Sequence, residues 1–213
     1  ILSRFSQLED NRRKFVDRWK ETQEYVSPTV DNWDNLDAIP ELPKRYSSDP
    51  CNYLNTLVSG IVGYSASPNI VWFKLTLEDQ KDLKAYGVKD WLEEVEEIMN
   101  AEFNRSNFYS QIPSIVDHGA TIGHGAMMTE FNTSKNKLHF FTIRSAELFL
   151  DVNAGGEIDT VFRKYVMTLR NVVEFFGLEN VHENIRTDFE DETKWNNNIT
   201  ILFAVFPRKE AKE

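Results

Sequence analysis

Apolar residues recur at helical spacing along the first part of the chain, where polar or turn-forming stretches separate four amphipathic segments. Between the first two segments, Thr29 to Ser48 has the Pro, Asn and Asp content of a loop, including Pro40 and Pro43. The predicted helices are Ser3–Val26, ended by Pro28; one with Asp49 as N-cap and Pro50 at its first position; Val88 to about Phe103; and one from about Asn107.

The first two helices each show an apolar face. In the first, the basic run Arg12-Arg13-Lys14 falls largely off that face. The second ends at the breaker Ser67-Pro68-Asn69. The apolar positions are Phe5, Leu8, Phe15, Trp19 and Val26 in the first helix, and Leu54, Leu57, Val58, Ile61 and Val62 in the second.

The helix from Val88 to Phe103 is the clearest, because its apolar positions form one continuous stripe. Glu93, Glu94, Glu96 and Glu97 lie away from the stripe and are expected to face solvent. We therefore expect the stripe to be core and to form no cofactor or partner groove. Its members are Val88, Trp91, Leu92, Val95, Ile98, Met99 and Phe103.

The pattern changes to short β-rich segments after the small-residue stretch from Gly119 to Ala126. Asn153-Ala154-Gly155-Gly156 is the strongest turn signal, and short connections predict an antiparallel meander. Thr168 is expected to cap a helix that ends at Phe176-Gly177. The predicted strands are Ala126–Phe131, Leu138–Ile143, Glu147–Val152, Ile158–Met167 and Ile199–Phe206.

Two further short elements are predicted before the helix that begins at Val88. Ile70 to Leu75 is a strand by its β-branched and aromatic content, and Thr76 to Asp79 resembles the cap of a short helix. With Val181 to Asn198 polar and acidic, residues 1–125 are mainly helical and residues 126–213 mainly β with one helix. Helices that precede strands predict an α+β fold rather than alternating α/β.

Composition excludes several classes of protein. The chain has 213 residues, enough to fold without disulfides or metal, and its one cysteine, Cys51, fits a reducing compartment. The net charge of −10 disfavours a sequence-reading nucleic-acid binder. No 18-residue apolar run or signal peptide is present, and the absence of an initiator Met suggests a piece of a longer chain.

Candidate catalytic and ligand-binding residues each have a simpler structural interpretation. The glycines from Gly119 to Gly125 lack the Lys and Ser or Thr of a phosphate loop and fit a tight helix-to-strand corner. His118, His124 and His139 lack the spacing of zinc ligands on one helix face. Cys51 has no predicted base beside it, and Ser59-Gly60 lacks the frame of a nucleophile elbow.

The charged segments also have a functional and a simpler structural interpretation. The acidic sets could attract a hard cation, but solvated loops explain them more simply, and the first set lacks the spacing of an EF-hand. The run from Arg12 to Lys14 could contact phosphates, but three cations among acidic neighbours make a weak footprint. No catalytic, cofactor-binding or metal-binding residue is therefore assigned. The acidic sets are Asp31, Asp34 and Asp37, and Asp188, Glu190, Asp191 and Glu192.

The order of short motifs is more informative than any one of them. Together they resemble the N-terminal part of the head-to-tail connector (portal) proteins of short-tailed bacteriophages, over nearly the whole chain. The motifs, in order, are Trp19–Pro28 as W-x5-Y-x2-P, Ala66–Leu75, Val88–Leu92, Arg105–Tyr109, Gly119–Thr121, Gly156–Arg163, Thr168–Gly177 and Ala204–Arg208.

The resemblance implies a structural subunit without catalytic activity or cofactor. Family members form a dodecameric ring at one capsid vertex, through which double-stranded DNA is packaged by a terminase and later ejected, and they also contact capsid protein and tail adaptors. Residues 1–213 would be the peripheral wing region of such a subunit, made in the host cytoplasm and located in the virion at the head-tail junction. Two alternatives stay open: a metal-dependent hydrolase that uses the acidic segments, and a non-viral α+β adaptor domain.

Overall fold

A computed structural model describes residues 1–28, 32–38, 47–79, 81, 85–133 and 135–207, and it confirms the α+β class. Pro40, Pro43 and Arg208 lie outside these residues, as does most of the short helix predicted after Thr76. In chain order the elements are α1 (Leu2–Val26), α2 (Asp49–Ser65), α3 (Val88–Arg105), α4 (Phe108–Ile122), β1 (Ala126–Asn132), β2 (Lys137–Ile143), β3 (Leu148–Val152), β4 (Ile158–Thr168), α5 (Leu169–Phe176), α6 (Glu183–Phe189) and β5 (Asn198–Val205).

The strands form two antiparallel sheets rather than one meander. β1 pairs with β2 as a hairpin, and β3, β4 and β5 form a second sheet with β4 in the centre. The chain passes through α5 and α6 between β4 and β5, so the last strand returns from a distance to the sheet. α6 lies in the polar segment that was predicted without a helix, because seven residues are too few to show a helical pattern.

The chain divides into two compact units that do not follow the change from helices to strands. Unit 1 consists of Ile1–Lys20, Thr29–Glu41 and Ala146–Glu213. Unit 2 consists of Glu21–Pro28 and Leu42–Ser145. Unit 1 therefore joins the start of α1 to the three-stranded sheet, whereas unit 2 combines α2, α3 and α4 with the β1–β2 hairpin.

Unit 1 has its core between α1 and one face of the three-stranded sheet. Phe5 of α1 contacts Phe149 edge-to-face at 4.9 Å and Phe162 at 5.8 Å between ring centroids. Phe162, on the central strand, has no exposed surface. Leu8, Leu202 and Ala204 pack around these rings. Side chains along β4 and β5 alternate between the two faces of the sheet, and those on the inner face supply this apolar surface, as expected for a half-buried antiparallel sheet.

Unit 2 is built around a cluster of aromatic rings. Phe108, at the start of α4, lies 4.5 Å from Phe103, 5.1 Å from Phe140 and 5.9 Å from Trp72 between ring centroids. The Asn107 side chain fixes the hairpin beside the cluster, because it donates to the Phe140 carbonyl and accepts from the Phe140 N–H. The cluster thus joins α3, α4, β2 and the segment before α3.

The segment Ile70–Leu75 is not a strand, contrary to the prediction. Trp72 and Phe73 enter the aromatic cluster, and the Leu75 N–H donates to the Glu96 carboxylate at 2.6 Å. At Leu75 a side-chain oxygen therefore takes the place of the backbone carbonyl that a neighbouring strand would offer. The β-rich composition reflected aromatic packing, which a strand-like pattern does not distinguish from sheet pairing.

The apolar stripe of α3 is only partly buried, so the expectation that all of it is core was wrong. Trp91 is 60% exposed and Ile98 is 57% exposed, whereas Leu92 is 6% exposed. Glu96, expected to face solvent, is half-buried where it accepts the Leu75 N–H. The buried side of α3 therefore keeps Leu92 and the positions three, four and seven residues from it, includes Glu96, and leaves out Trp91 and Ile98.

The predicted caps are confirmed at one helix and shifted at another. Thr168 is the N-cap of α5 and its side chain accepts from the Asn171 N–H, while Gly177 ends the helix with φ of 82°. α2 begins one residue earlier than predicted. Its N-cap is Ser48, Asp49 is the first helical residue, and Pro50 lies in the first turn, where proline is tolerated.

Candidate functional sites and surfaces

The glycine-rich stretch forms a packing corner between α4 and β1. α4 ends at Ile122, and Gly123 follows with φ of 92°, a conformation that favours glycine. A Cβ on Gly125 would lie 2.6 Å from the Ile115 carbonyl oxygen, so a side chain cannot fit there. These contacts confirm the interpretation as a tight helix-to-strand corner.

The histidines considered as zinc ligands have separate surroundings. His118 is 4% exposed within α4, and its Nδ1 atom has no hydrogen-bond partner. His139 is exposed on β2, and His124 lies beyond the end of α4. Within the described residues, no three His, Cys, Asp or Glu side chains are grouped closely enough to hold a metal ion.

Cys51 lies in the first turn of α2 and is half-buried. Its Sγ atom is 3.5 Å from the Tyr25 carbonyl oxygen, a weak hydrogen bond that joins α2 to the end of α1. A carbonyl oxygen cannot accept the proton of a thiol in general base catalysis. The contact with Tyr25 is therefore a structural one between two helices.

Members of both acidic segments make structural contacts. Asp34 pairs with Lys20 at 2.5 Å, and Asp188 pairs with Lys194 at 2.6 Å. Asp191 accepts from both the N–H and the hydroxyl of Thr193, and these bonds lower the pKa of Asp191. Asp31 lies outside the described residues. These hydrogen bonds and ion pairs stabilise local turns.

Arg12 has a different role from the one its sequence suggested, because it lies against the sheet of unit 1. Its guanidinium donates to the carbonyls of Ala146 at 2.8 Å and Leu148 at 2.9 Å, and stacks over Phe149 at 4.2 Å from the ring centroid. Arg13 remains on the outer side, with its side chain 73% exposed. Arg12 thus fastens α1 to the start of β3, which sequence spacing did not indicate.

A cavity of about 600 Å³ opens beside Arg12 within unit 1. Its walls carry charges of both signs, and several of them pair with each other. Lys20 pairs with Asp34, and Lys164 pairs with Glu9 at 3.3 Å. Since these cations are already matched by carboxylates, the cavity does not present a strong anion site.

One carboxyl group in unit 2 is perturbed by burial. Asp117 of α4 accepts from the Ser27 hydroxyl at 3.4 Å, while its second oxygen, Oδ1, has no hydrogen-bond partner. Burial raises the pKa of Asp117, and the neighbouring His118 and the Ser27 bond offset part of this rise. The hydrogen bond with Ser27 links α4 to the end of α1, so we treat this carboxyl as a determinant of stability.

The outer face of α2 is apolar and exposed, which the sequence analysis did not predict. Leu54 and Val58 are buried, whereas Tyr53, Leu57 and Tyr64 are 73%, 52% and 93% exposed. A signal was present in the sequence, because Asp49 is the one charged residue among the 17 residues of α2. A helix without a charged face is unlike a normal solvent-facing helix.

Among the residues described, no helix has the length and apolar character that crossing a membrane requires.

Comparison with known proteins gives one family. Residues 1–213 match the family described as bacteriophage head to tail connecting protein. The portal protein of Salmonella phage epsilon15 is 29% identical over 197 residues, which cover 91% of this chain and 35% of that protein. The probable portal protein of Bordetella phage BPP-1 is 24% identical over 216 residues, which cover 98% of this chain and 38% of that protein.

The chain therefore spans little more than a third of the length of these relatives. The family match, by contrast, extends over every residue of the sequence. The motif order from Trp19 to Arg208, on which the sequence resemblance depended, lies entirely within it. By this match the chain belongs to the bacteriophage head to tail connecting protein family.

Proposed function

We propose that this chain is part of a portal subunit, a structural protein of a phage connector ring through which double-stranded DNA is packaged and ejected. The observation that carries the proposal is the family match over residues 1–213, supported by two relatives named as portal proteins that align with 91% and 98% of the chain. In the virion, such a ring joins the capsid to the tail. Its partners are further copies of the subunit, capsid protein, terminase and tail adaptors.

The proposed role is structural, not catalytic. The acidic segments that could have supported a metal-dependent hydrolase hold Lys20, Lys194 and Thr193 through their carboxylates. A turnover screen with phosphate esters and peptides, in the presence of Mg²⁺ or Mn²⁺, tests this part of the proposal. Metal-dependent turnover that disappears in Asp188→Asn would contradict it.

We place residues 1–213 in the peripheral wing of the subunit, away from the channel. The sequence resembles the N-terminal part of connector proteins, and the chain spans 35% and 38% of its relatives. A net charge of −10 also fits a surface over which DNA slides without being held, because each phosphate contact adds salt-dependent affinity. Duplex DNA should therefore bind this chain weakly and without sequence preference.

Electron microscopy of the full-length protein tests the proposed function directly. The full-length protein to which residues 1–213 would belong, called the parent below, should form closed rings when it is expressed alone. Such rings arise when one subunit contact repeats around a rotation axis until it closes. Particles without rotational symmetry, even in concentrated samples, would contradict it. Anisotropy with labelled duplex DNA at physiological salt provides the second measurement, in which tight binding to residues 1–213 would be unexpected.

The isolated 213-residue chain should behave differently from the parent. A wing alone retains only part of the ring contact, and interfaces below about 1,000 Å² seldom hold at ordinary concentration. We expect a monomer or weak association by sedimentation. A stable dodecamer of residues 1–213 would show that the ring contacts lie within this chain, and it would overturn its placement in the wing.

A further inference from the structure

The two outer strands of the unit 1 sheet differ in how their edges are protected. β3 is five residues long, its pairing with β4 shifts register at Asp151 and Val152, and Asp151 pairs with Arg4 at 3.0 Å. Arg12 also donates to the carbonyls of Ala146 and Leu148 at the start of this strand. Short length, irregularity and charge are the features that protect an edge from pairing with another strand.

β5 has none of these features. Its eight residues, Asn198–Val205, include no charged residue and no proline, and its pairing with β4 continues without a register shift. Leu202 and Ala204 pack on the core, while Phe203 and Val205 on the opposite face are 41% and 51% exposed. Within the described residues, the hydrogen bonds of the β5 backbone all belong to its ladder with β4.

An uncharged, regular and apolar edge of this length is a template for a further strand. Its occupant must be an extended segment of polypeptide with apolar side chains, because β5 offers backbone groups and apolar surface but no charge. A charged ligand or a nucleic acid would find no matching group there. The chemistry of β5 therefore specifies a β-strand as the partner.

We propose that β5 is the docking site for a strand from the same polypeptide, contributed by the parent protein outside residues 1–213. The two relatives are much longer than this chain, which covers 35% and 38% of them, so a protein of that length has ample sequence to supply the strand. A segment tethered to the same chain also has a high effective concentration at β5, in contrast to a separate molecule. The inference rests on the proposed function in taking the parent to be a connector of the relatives' length.

Thiol labelling in the full-length parent tests the inference. In a Cys51→Ser background, Val205→Cys is labelled with a maleimide in the parent and in residues 1–213, at concentrations where light scattering shows monomers. The labelling rate should be at least about tenfold lower in the parent. Lys14→Cys, at an exposed charged position of α1, is the matched control and should react equally in both.

Backbone exchange gives a second measurement that reports on the strand itself. In residues 1–213, alternate amides of β5 should exchange slowly, because alternate N–H groups bond to β4. In the parent, amides along the whole of β5 should be protected. Phe203→Lys should abolish the added protection in the parent while leaving the fold of residues 1–213 intact by circular dichroism, since Phe203 is partly exposed.

Three outcomes would overturn the proposal: equal labelling of Val205→Cys in both chains, protection that appears only when rings assemble, and continuous exchange protection in residues 1–213 alone. The second would assign β5 to a neighbouring copy, and the third to residues already within this chain. Ring formation is scored by microscopy on the same preparations. A parent that forms no rings but protects β5 would contradict the proposed function and keep this inference.

Discussion

The two compact units bury their apolar residues in different ways. Unit 1 brings the start of α1 against a sheet whose residues follow Ala146, and its central ring, Phe162, has no exposed surface. Unit 2 gathers rings from segments between Trp72 and Phe140 around Phe108 but leaves Trp91 and Tyr64 largely exposed. An apolar stripe in this protein is thus core where residues from another part of the chain cover it. Where none of the described residues covers it, the stripe is surface.

The strongest test of the unit 1 core is Phe162→Ala. The loss of a fully buried ring should lower the free energy of unfolding by about 3–5 kcal/mol, because the surrounding rings cannot collapse into the cavity. Chemical denaturation of the variant and of the unsubstituted chain measures this difference. Phe175→Ala is the control, since Phe175 is 61% exposed and should change stability by less than about 1 kcal/mol. Similar losses in the two variants would place the core elsewhere.

Arg12→Met should be the next largest change in unit 1. It removes two hydrogen bonds from a charged donor and leaves the carbonyls of Ala146 and Leu148 without that partner, a loss of about 2 kcal/mol in the free energy of unfolding. Arg13→Met, one residue away, removes an exposed ion pair with Asp10 and should cost less than about 0.5 kcal/mol. Equal effects of the two substitutions would show that Arg12 does not fasten α1 to the sheet.

Trp91→Ala should have a small effect, although the sequence pattern assigned Trp91 to the core. With 60% of the residue exposed, the expected loss is below about 1 kcal/mol. Its neighbour Leu92 is buried, so Leu92→Ala should lower the free energy of unfolding by about 2–4 kcal/mol. Thermal unfolding of both variants checks which side of α3 is buried, and a larger effect at Trp91 than at Leu92 would contradict this assignment.

Asp117→Asn should mainly change the pH dependence of stability. A folded pKa raised above 3.8 means that the folded protein binds more protons than the unfolded chain just above that pH. Asp117 therefore makes stability fall as pH rises through the interval between 3.8 and its folded pKa. The Asn variant should show a shallower fall across that interval in denaturation series. A steeper fall in the variant would mean that the pKa of Asp117 is lowered on folding.

The sequence by itself determined the local elements. Thr168 and Gly177 marked both ends of α5, and the turn at Asn153–Gly156 marked the β3–β4 hairpin, because capping and turn geometry depend on a few adjacent residues. The order of motifs also indicated the family that the whole-chain match then established. These signals are local or sequential, so they are present in the chain before it folds.

Only the tertiary structure decided which apolar faces have partners. It divided one apparent meander into two sheets, directed Trp72 into an aromatic cluster instead of a strand, and turned Arg12 inward against the carbonyls of Ala146 and Leu148. It also left the edge of β5 without a neighbour among the described residues. The contacts of Trp72 and Arg12 join residues far apart in sequence. Periodicity specifies a face of an element but not what covers that face.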